Sequence, residues 1–193
     1  MKNNIRITGG YLKGKNIPFD FKNSLRPTSS KLREVLFNWI QFEIKGMECL
    51  DLFAGTGALG LEAISRGAKF CYFFESSEKV INILKNNCIK ICKNNNFQII
   101  KEDLNKSNFS IIINSISVIF IDPPYEMNVI ANILKYVIAN ILKSLLKNNL
   151  ISKKTIIVAE CEINTVIEVP TCLNVFNEKF YGKTKILFIK KTN

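Results

Sequence analysis

From residue 47 onward, short apolar runs alternate with longer segments whose apolar positions recur at helical spacing. The runs predict strands over 47–52, 70–74, 97–100, 118–121 and 155–159. Between them the spacing predicts helices over 58–66, 79–92 and 127–147. Val80, Ile83, Leu84 and Asn87 share one face of the second helix. Ile130, Ile133, Leu134, Val137, Ile141, Leu142 and Leu145 share one face of the third. Two further strands, 175–181 and 185–189, flank Gly182-Lys183-Thr184 and read as a closing hairpin. Ahead of this core, glycine-punctuated β-like pieces over 5–19 predict a small hairpin. A helix over about 30–43 follows, with Thr28, Ser29 or Ser30 able to cap it. Leu32, Val35, Leu36, Trp39 and Ile40 form its packed face; Lys31, Arg33 and Glu34 fall on the other. Alternating strands and helices imply an α/β fold, a parallel sheet covered on both faces.

Length changes this picture little. At 193 residues one domain is expected, with 1–29 as an N-terminal extension and 30–193 as the core. No apolar run reaches the roughly 18 residues of a membrane-spanning helix. Residues 1–6 lack the apolar centre of a signal peptide, so the cytoplasm is the default compartment and a monomer the default state. The net charge of +11 suits a polyanionic partner, although Lys and Asn are abundant throughout. The six cysteines contain no Cys-x-x-Cys pair and histidine is absent, so no metal site is expected. Without histidine, Ser-His and Cys-His nucleophilic chemistry is excluded as well. Carboxylates, backbone groups and a cofactor remain.

The fourth strand runs into Asp122-Pro-Pro-Tyr125. Neither Pro123 nor Pro124 can continue the ladder, so Asp122 and Tyr125 are presented at the strand's carboxyl end. Open α/β sheets bind ligands there. Asp-Pro-Pro-Tyr resembles the signature of enzymes that methylate an exocyclic nucleobase amine. Such an amine is a poor nucleophile, because its lone pair is delocalised into the ring. The Asp122 carboxylate and the Pro123 carbonyl can accept its two N–H bonds and stabilise the positive charge that grows on nitrogen. Tyr125 offers a ring on which a flipped base can stack.

The first strand of the core leads into Asp51-Leu-Phe-Ala-Gly-Thr-Gly-Ala-Leu-Gly60. This spells G-x-G-x-x-G and alone fits a dinucleotide fold, with Glu75 on a ribose hydroxyl. Electrostatics separates the readings. A pyrophosphate beside Asp51 would meet a fixed like charge, whereas S-adenosyl-L-methionine (AdoMet) brings an ammonium and a sulfonium and no phosphate. Gly55 and Gly57 then let the backbone approach the methionine end and Glu75 holds the two ribose hydroxyls, with Phe53, Ala54 and Ser76 also among the cofactor-binding residues. Asp103 with Leu104 is placed for the adenine, unless Asp103 simply caps a helix.

Leu25-Arg-Pro-Thr28, Lys31-Leu-Arg-Glu-Val-Leu-Phe-Asn38, Asp51-Leu-Phe-Ala-Gly-Thr-Gly57 and Asp122-Pro-Pro-Tyr125 occur in that order. With them the chain resembles the bacterial RsmD-type enzymes, which methylate the N2 amine of one guanine in small-subunit ribosomal RNA. The resemblance implies the class I AdoMet-dependent methyltransferase sheet, Rossmann-like and seven-stranded, mostly parallel with its last strand antiparallel. It implies Asp122 to Tyr125 as the catalytic motif and small-subunit ribosomal RNA, or the assembling subunit, as the partner. Arg6, Lys13, Lys15, Arg26 and Thr28 would border the RNA side. Lys15 stands where the family usually has arginine. A DNA adenine-N6 methyltransferase would share Asp-Pro-Pro-Tyr but needs a larger target-reading region. A non-catalytic RNA-binding protein on the same scaffold is the remaining alternative.

Overall fold

The computed structural model describes residues 3–19, 29–92, 96–104, 109–112, 115–124 and 131–192, the side chains of 3 and 131–134 excepted. Arg26, Thr28 and Tyr125, with Leu25, Pro27 and Ile130, lie outside the described residues.

A two-stranded hairpin, β1 (Asn3–Arg6) with β2 (Asn16–Phe19), opens the chain. Helices α1 (Ser30–Trp39) and α2 (Gln41–Ile44) follow. The core then runs β3 (Glu48–Asp51), α3 (Ala58–Ser65), β4 (Phe70–Glu75), α4 (Glu78–Ile91), β5 (Phe97–Lys101) and β6 (Val118–Ile121). It ends with α5 (Ala131–Lys147), β7 (Ile156–Glu162), β8 (Leu173–Tyr181) and β9 (Thr184–Lys191). Seven strands form one sheet in the order β5-β4-β3-β6-β7-β9-β8. Only β9 runs against the others, because it pairs antiparallel with both β7 and β8. This is the class I methyltransferase fold.

Side chains alternate along each strand, so one sheet feeds two cores. Val118 and Phe120 face the side covered by the hairpin and α1 to α4. Ile119 and Ile121 face the side covered by α5 and the segment around Phe109 and Ile116. Strand order reverses between β3 and β6, whose neighbours on the outer sides are β4 and β7. At such a switch the helices leave in opposite directions and open a crevice beyond the carboxyl ends.

Three expectations need correction. The helix expected over 30–43 breaks at Ile40 into α1 and α2. Arg33 is not on the solvent face: it is 1% exposed, donates from Nη2 to the Arg6 carbonyl at 2.7 Å, and sits 3.9 Å from Glu62. A buried carboxylate supplied by a distant helix overrides the polar pattern. Trp39 is 48% exposed, and the wholly buried Phe37 packs on Phe120 in its stead, ring centroids 5.6 Å apart.

Candidate active site

Each of four neighbouring strands ends in or next to an acid. Asp51 closes β3 and Glu75 closes β4, while Asp122 directly follows β6 and Asp103 stands two residues beyond β5. The Leu52 N–H donates to the Phe120 carbonyl at 3.1 Å, which holds the ends of β3 and β6 together. Glu102 N–H to the Glu75 carbonyl, 3.3 Å, carries the β4–β5 ladder one step further.

Asp51 is buried at the centre of this row. Its Oδ2 accepts the Gly60 N–H at 3.0 Å, and its Oδ1 is buried without a hydrogen-bond donor. Burial, and then the charges of Asp122 and Glu75, push its carboxyl up to about 7; the Gly60 and Phe53 N–H groups oppose that rise. Because Asp122 and Glu75 both act on Asp51, the three carboxylates lie near one another at the strand ends that border the crevice. A cation entering it would satisfy Oδ1 and relieve the repulsion, whereas a phosphate would add to it. The orphaned oxygen therefore fits the ammonium of AdoMet and argues against a dinucleotide.

The glycine loop is built to leave space there. Gly55 has φ +51°, and a Cβ added to it would meet nothing nearer than the Phe53 carbonyl at 3.9 Å. The other two glycines serve packing. A Cβ on Gly60 would lie 2.1 Å from the Phe73 ring, and one on Gly57 2.7 Å from Leu84. Glu75 ties the loop to β4: its Oε2 accepts the Gly55 N–H at 3.1 Å, and its Oε1 accepts Ser76 and Ser77 N–H, both at 2.9 Å. A carboxylate has about four acceptor positions, so three backbone donors leave Oε2 one in hand.

Asn87 is a loop-holding residue to which the sequence assigned no role. It lies buried in α4 and donates from Nδ2 to the Thr56 carbonyl at 3.1 Å. An amide among the apolar positions of a helix is the signal that marks it.

Of the other candidate site residues, the side chains of Phe53, Glu75, Leu104, Asp122 and Pro124 are half-buried. Ala54 and Pro123 are buried, and Ser76 and Asp103 are exposed. Five cysteines are buried and Cys172 is half-buried, none of them paired. Burial pushes the Cys49 thiol up to about 12 and that of Cys71 well above its ordinary value. These thiols are packing, not nucleophiles. Among the described residues, no group of acids and cysteines could hold a metal ion, and no helix is long and apolar enough to cross a membrane.

The candidate RNA-side cations are elsewhere. Glu62 of α3 is fully buried and accepts Thr8 N–H (2.8 Å), Thr8 Oγ1 (2.7 Å), Gly9 N–H (2.8 Å) and Arg66 Nε (2.9 Å). Beyond it the Tyr11 N–H meets the Ser65 carbonyl at 2.8 Å. The hairpin's turn is thus fastened to the last turn of α3. Exposed Lys13 and Lys15 stand there, and a Cβ built on Gly14 would lie 3.4 Å from the Arg6 guanidinium. That end lies one helix length, about 12 Å, from Gly57.

Comparison with known proteins agrees with this architecture. A family model described as "Conserved hypothetical protein 95" matches residues 5–190. Ribosomal RNA small subunit methyltransferase D of Buchnera aphidicola subsp. Baizongia pistaciae is 38% identical over 186 residues, covering 94% of this chain and 87% of its own. The protein of that name from Haemophilus influenzae is 30% identical over 190 residues, covering 94% and 91%. The chain belongs to the ribosomal RNA small subunit methyltransferase D family. The solved structure of the Escherichia coli protein yhhF superposes on this member with a TM-score of 0.80 at 27% identity, over 98% of each chain.

Proposed function

We propose that the protein transfers a methyl group from AdoMet to the exocyclic N2 amine of a guanine in small-subunit ribosomal RNA. Membership of the family supports ribosomal RNA as the substrate class. The single observation that supports AdoMet is the buried, donor-less Oδ1 of Asp51, flanked by two more acids at the switch point.

In this reading Asp51 would hold the cofactor's ammonium, and Glu75 one ribose hydroxyl through its remaining acceptor position, with Ser76 beside it. Gly55, Phe53 and Ala54 would line the methionine end, with Gly57 turning the loop beneath it; Asp103 and Leu104 would stand at the adenine end. The bound cofactor supplies an electrophilic methyl on sulfonium. Asp122 and the Pro123 carbonyl accept the two N–H bonds of the guanine amine, which directs its lone pair away from the ring. Pro124 fixes the turn, and Tyr125 stacks the base. As the methyl leaves sulfur, which departs as a neutral thioether, and joins nitrogen, the positive charge on nitrogen would develop beside the Asp122 carboxylate, and that carboxylate or solvent would take the proton. The target base must leave its stack to reach this crevice. Flanking phosphates would then cross the surface, where Arg6, Lys13 and Lys15 would meet them, and Arg26 and Thr28 would add contacts on the RNA side.

Labelled-methyl transfer from AdoMet to unmodified small subunits, followed by mapping, tests this. One N2-methylguanosine is expected. Label on adenine N6, on DNA, or nowhere would overturn it.

A further inference from the structure

We infer that α1 and the edge strand β8 form a strip that grips single-stranded RNA next to the target nucleotide. The inference rests on the ribosomal RNA reading above and adds a contact surface outside the crevice.

Three exposed aromatic rings on this side each carry a lysine ammonium. Lys31 Nζ stands 5.7 Å from the Tyr181 ring centroid, Lys179 Nζ 4.4 Å from that of Trp39, and Lys190 Nζ 4.8 Å from that of Phe176. Tyr181 is 40% exposed, Trp39 48% and Phe176 39%. Buried Phe188 lies beneath, 5.9 Å from Trp39 and 6.3 Å from Phe176 between centroids. The pairs belong to one surface, and its direction follows from the sheet. β8 is antiparallel to β9, which is antiparallel to β7, so the Tyr181 end of β8 lies at the same sheet edge as Asp51 and Asp122. From Tyr181 the strip runs back to Phe176, about 17 Å along the strand.

Chemistry selects the occupant. An apolar protein surface laid on these rings would strip water from three ammoniums and return nothing to them. A peptide strand added to the edge would meet the irregularity between Val175 and Asn177, which disrupts the ladder. A single RNA strand satisfies both parts: bases stack on the rings while the lysines move onto phosphates. The bulge has a use in this reading, since it turns Phe176 onto the face that holds Trp39 and Phe188.

The test is filter binding of deproteinised small-subunit ribosomal RNA to the full chain and to Lys179→Gln/Lys190→Gln, across a salt series. The double variant is expected to bind about tenfold more weakly at low salt, with a log–log salt slope shallower by about 1.5. Its AdoMet affinity should equal that of the unaltered chain, showing the fold intact, and Lys179→Arg/Lys190→Arg should restore RNA binding. A photo-crosslinking amino acid replacing Phe176 should label RNA when the chain is mixed with small subunits. Equal affinity and slope in the double variant would overturn the strip, as would crosslinks only to ribosomal protein. Neither readout needs methyl transfer, so a chain that binds RNA through the strip yet methylates nothing would sink the proposed function and leave the strip standing.

Discussion

Asp51 accepts the Gly60 N–H through Oδ2 at 3.0 Å and keeps Oδ1 buried with no donor. One residue thereby joins two links, loop geometry and ligand charge. Gly60 fixes the carboxylate's orientation and leaves the second oxygen for a donor brought by a ligand. Burial and the charges of Asp122 and Glu75 raise its carboxyl to about 7. A cationic cofactor requires the ionised form. AdoMet affinity should therefore fall as pH drops below about 7, approaching tenfold per pH unit. The free protein should respond in the opposite sense. Its folded carboxyl holds a proton that the unfolded one releases near pH 4, so this group's contribution to stability declines between about pH 4 and 7. Calorimetric titration of AdoMet from pH 5.5 to 8.5 checks the first part. A flat affinity profile would remove Asp51 from the cofactor site.

Asp122 follows β6 directly and is half-buried between two chemistries. It influences Asp51 electrostatically, whereas the loop bonds described above run to Asp51, Glu75 and Asn87. Asp122→Ala should therefore keep AdoMet binding, because the lost attraction of one acid for the cationic cofactor is offset by a more readily ionised Asp51. Methyl transfer should fall roughly a hundred- to a thousandfold, the usual effect of losing one directed charge-stabilising group. Single-turnover kinetics with labelled AdoMet separates the two effects. Turnover at the original rate would refute the role assigned to Asp122.

The strand ends were readable from the chain because each acid terminates an apolar run, and a buried strand that stops at an acid exposes it at a defined edge. The seven strands and their alternation with helices were readable for the same reason. Arg33 was not. Its burial depends on Glu62, carried by another helix, and nothing local distinguishes it from the solvent-facing Glu34. Trp39 fails in the opposite sense: it has the right spacing for the packed face, but a lysine from β8 covers it. Asn87 was visible as a polar residue in an apolar register, yet its partner, the Thr56 carbonyl, appears only once α4 lies on the loop. Side chains whose meaning lies in a tertiary partner are the ones that pattern alone leaves unread.

Gly55 and Gly60 share a motif and should separate under substitution. A methyl on Gly60 meets the Phe73 ring at 2.1 Å and Cys71 Sγ at 2.7 Å, both in the packed interior. Gly60→Ala should cost about 1–3 kcal/mol, lowering Tm by several degrees. Gly55→Ala meets no such obstacle and bears mainly the left-handed backbone, about 1 kcal/mol. Its larger effect should be on AdoMet, whose affinity should fall at least tenfold as the methyl fills the open side of the loop. Thermal melts and calorimetry on both variants decide this. If Gly55→Ala binds AdoMet normally, the space beside Gly55 is not where the cofactor lies.

Glu62 holds the hairpin to the core. It sits in α3 among Leu61, Ala63 and Ile64, fully buried, and receives donors from Thr8, Gly9 and Arg66 with buried Arg33 nearby. Glu62→Gln keeps the shape and removes the charge. Arg33 then remains in the interior, where burial already disfavours its charged form and Glu62 is the group that offsets it. Leaving a buried cation without the carboxylate that offsets its charge costs about 3–5 kcal/mol, and for a chain of this size that lowers Tm by roughly 10 °C. The loss should be local first. Amides that depend on the anchor, those of Thr8, Gly9, Tyr11 and Leu12, should exchange hydrogen much faster while β3 and β6 stay protected. A melt shifted by less than 2 °C, or exchange accelerating uniformly through the sheet, would show that the hairpin is held by its apolar contacts, Ile5, Ile7, Leu12 and Ile17, and that the buried charge network contributes little.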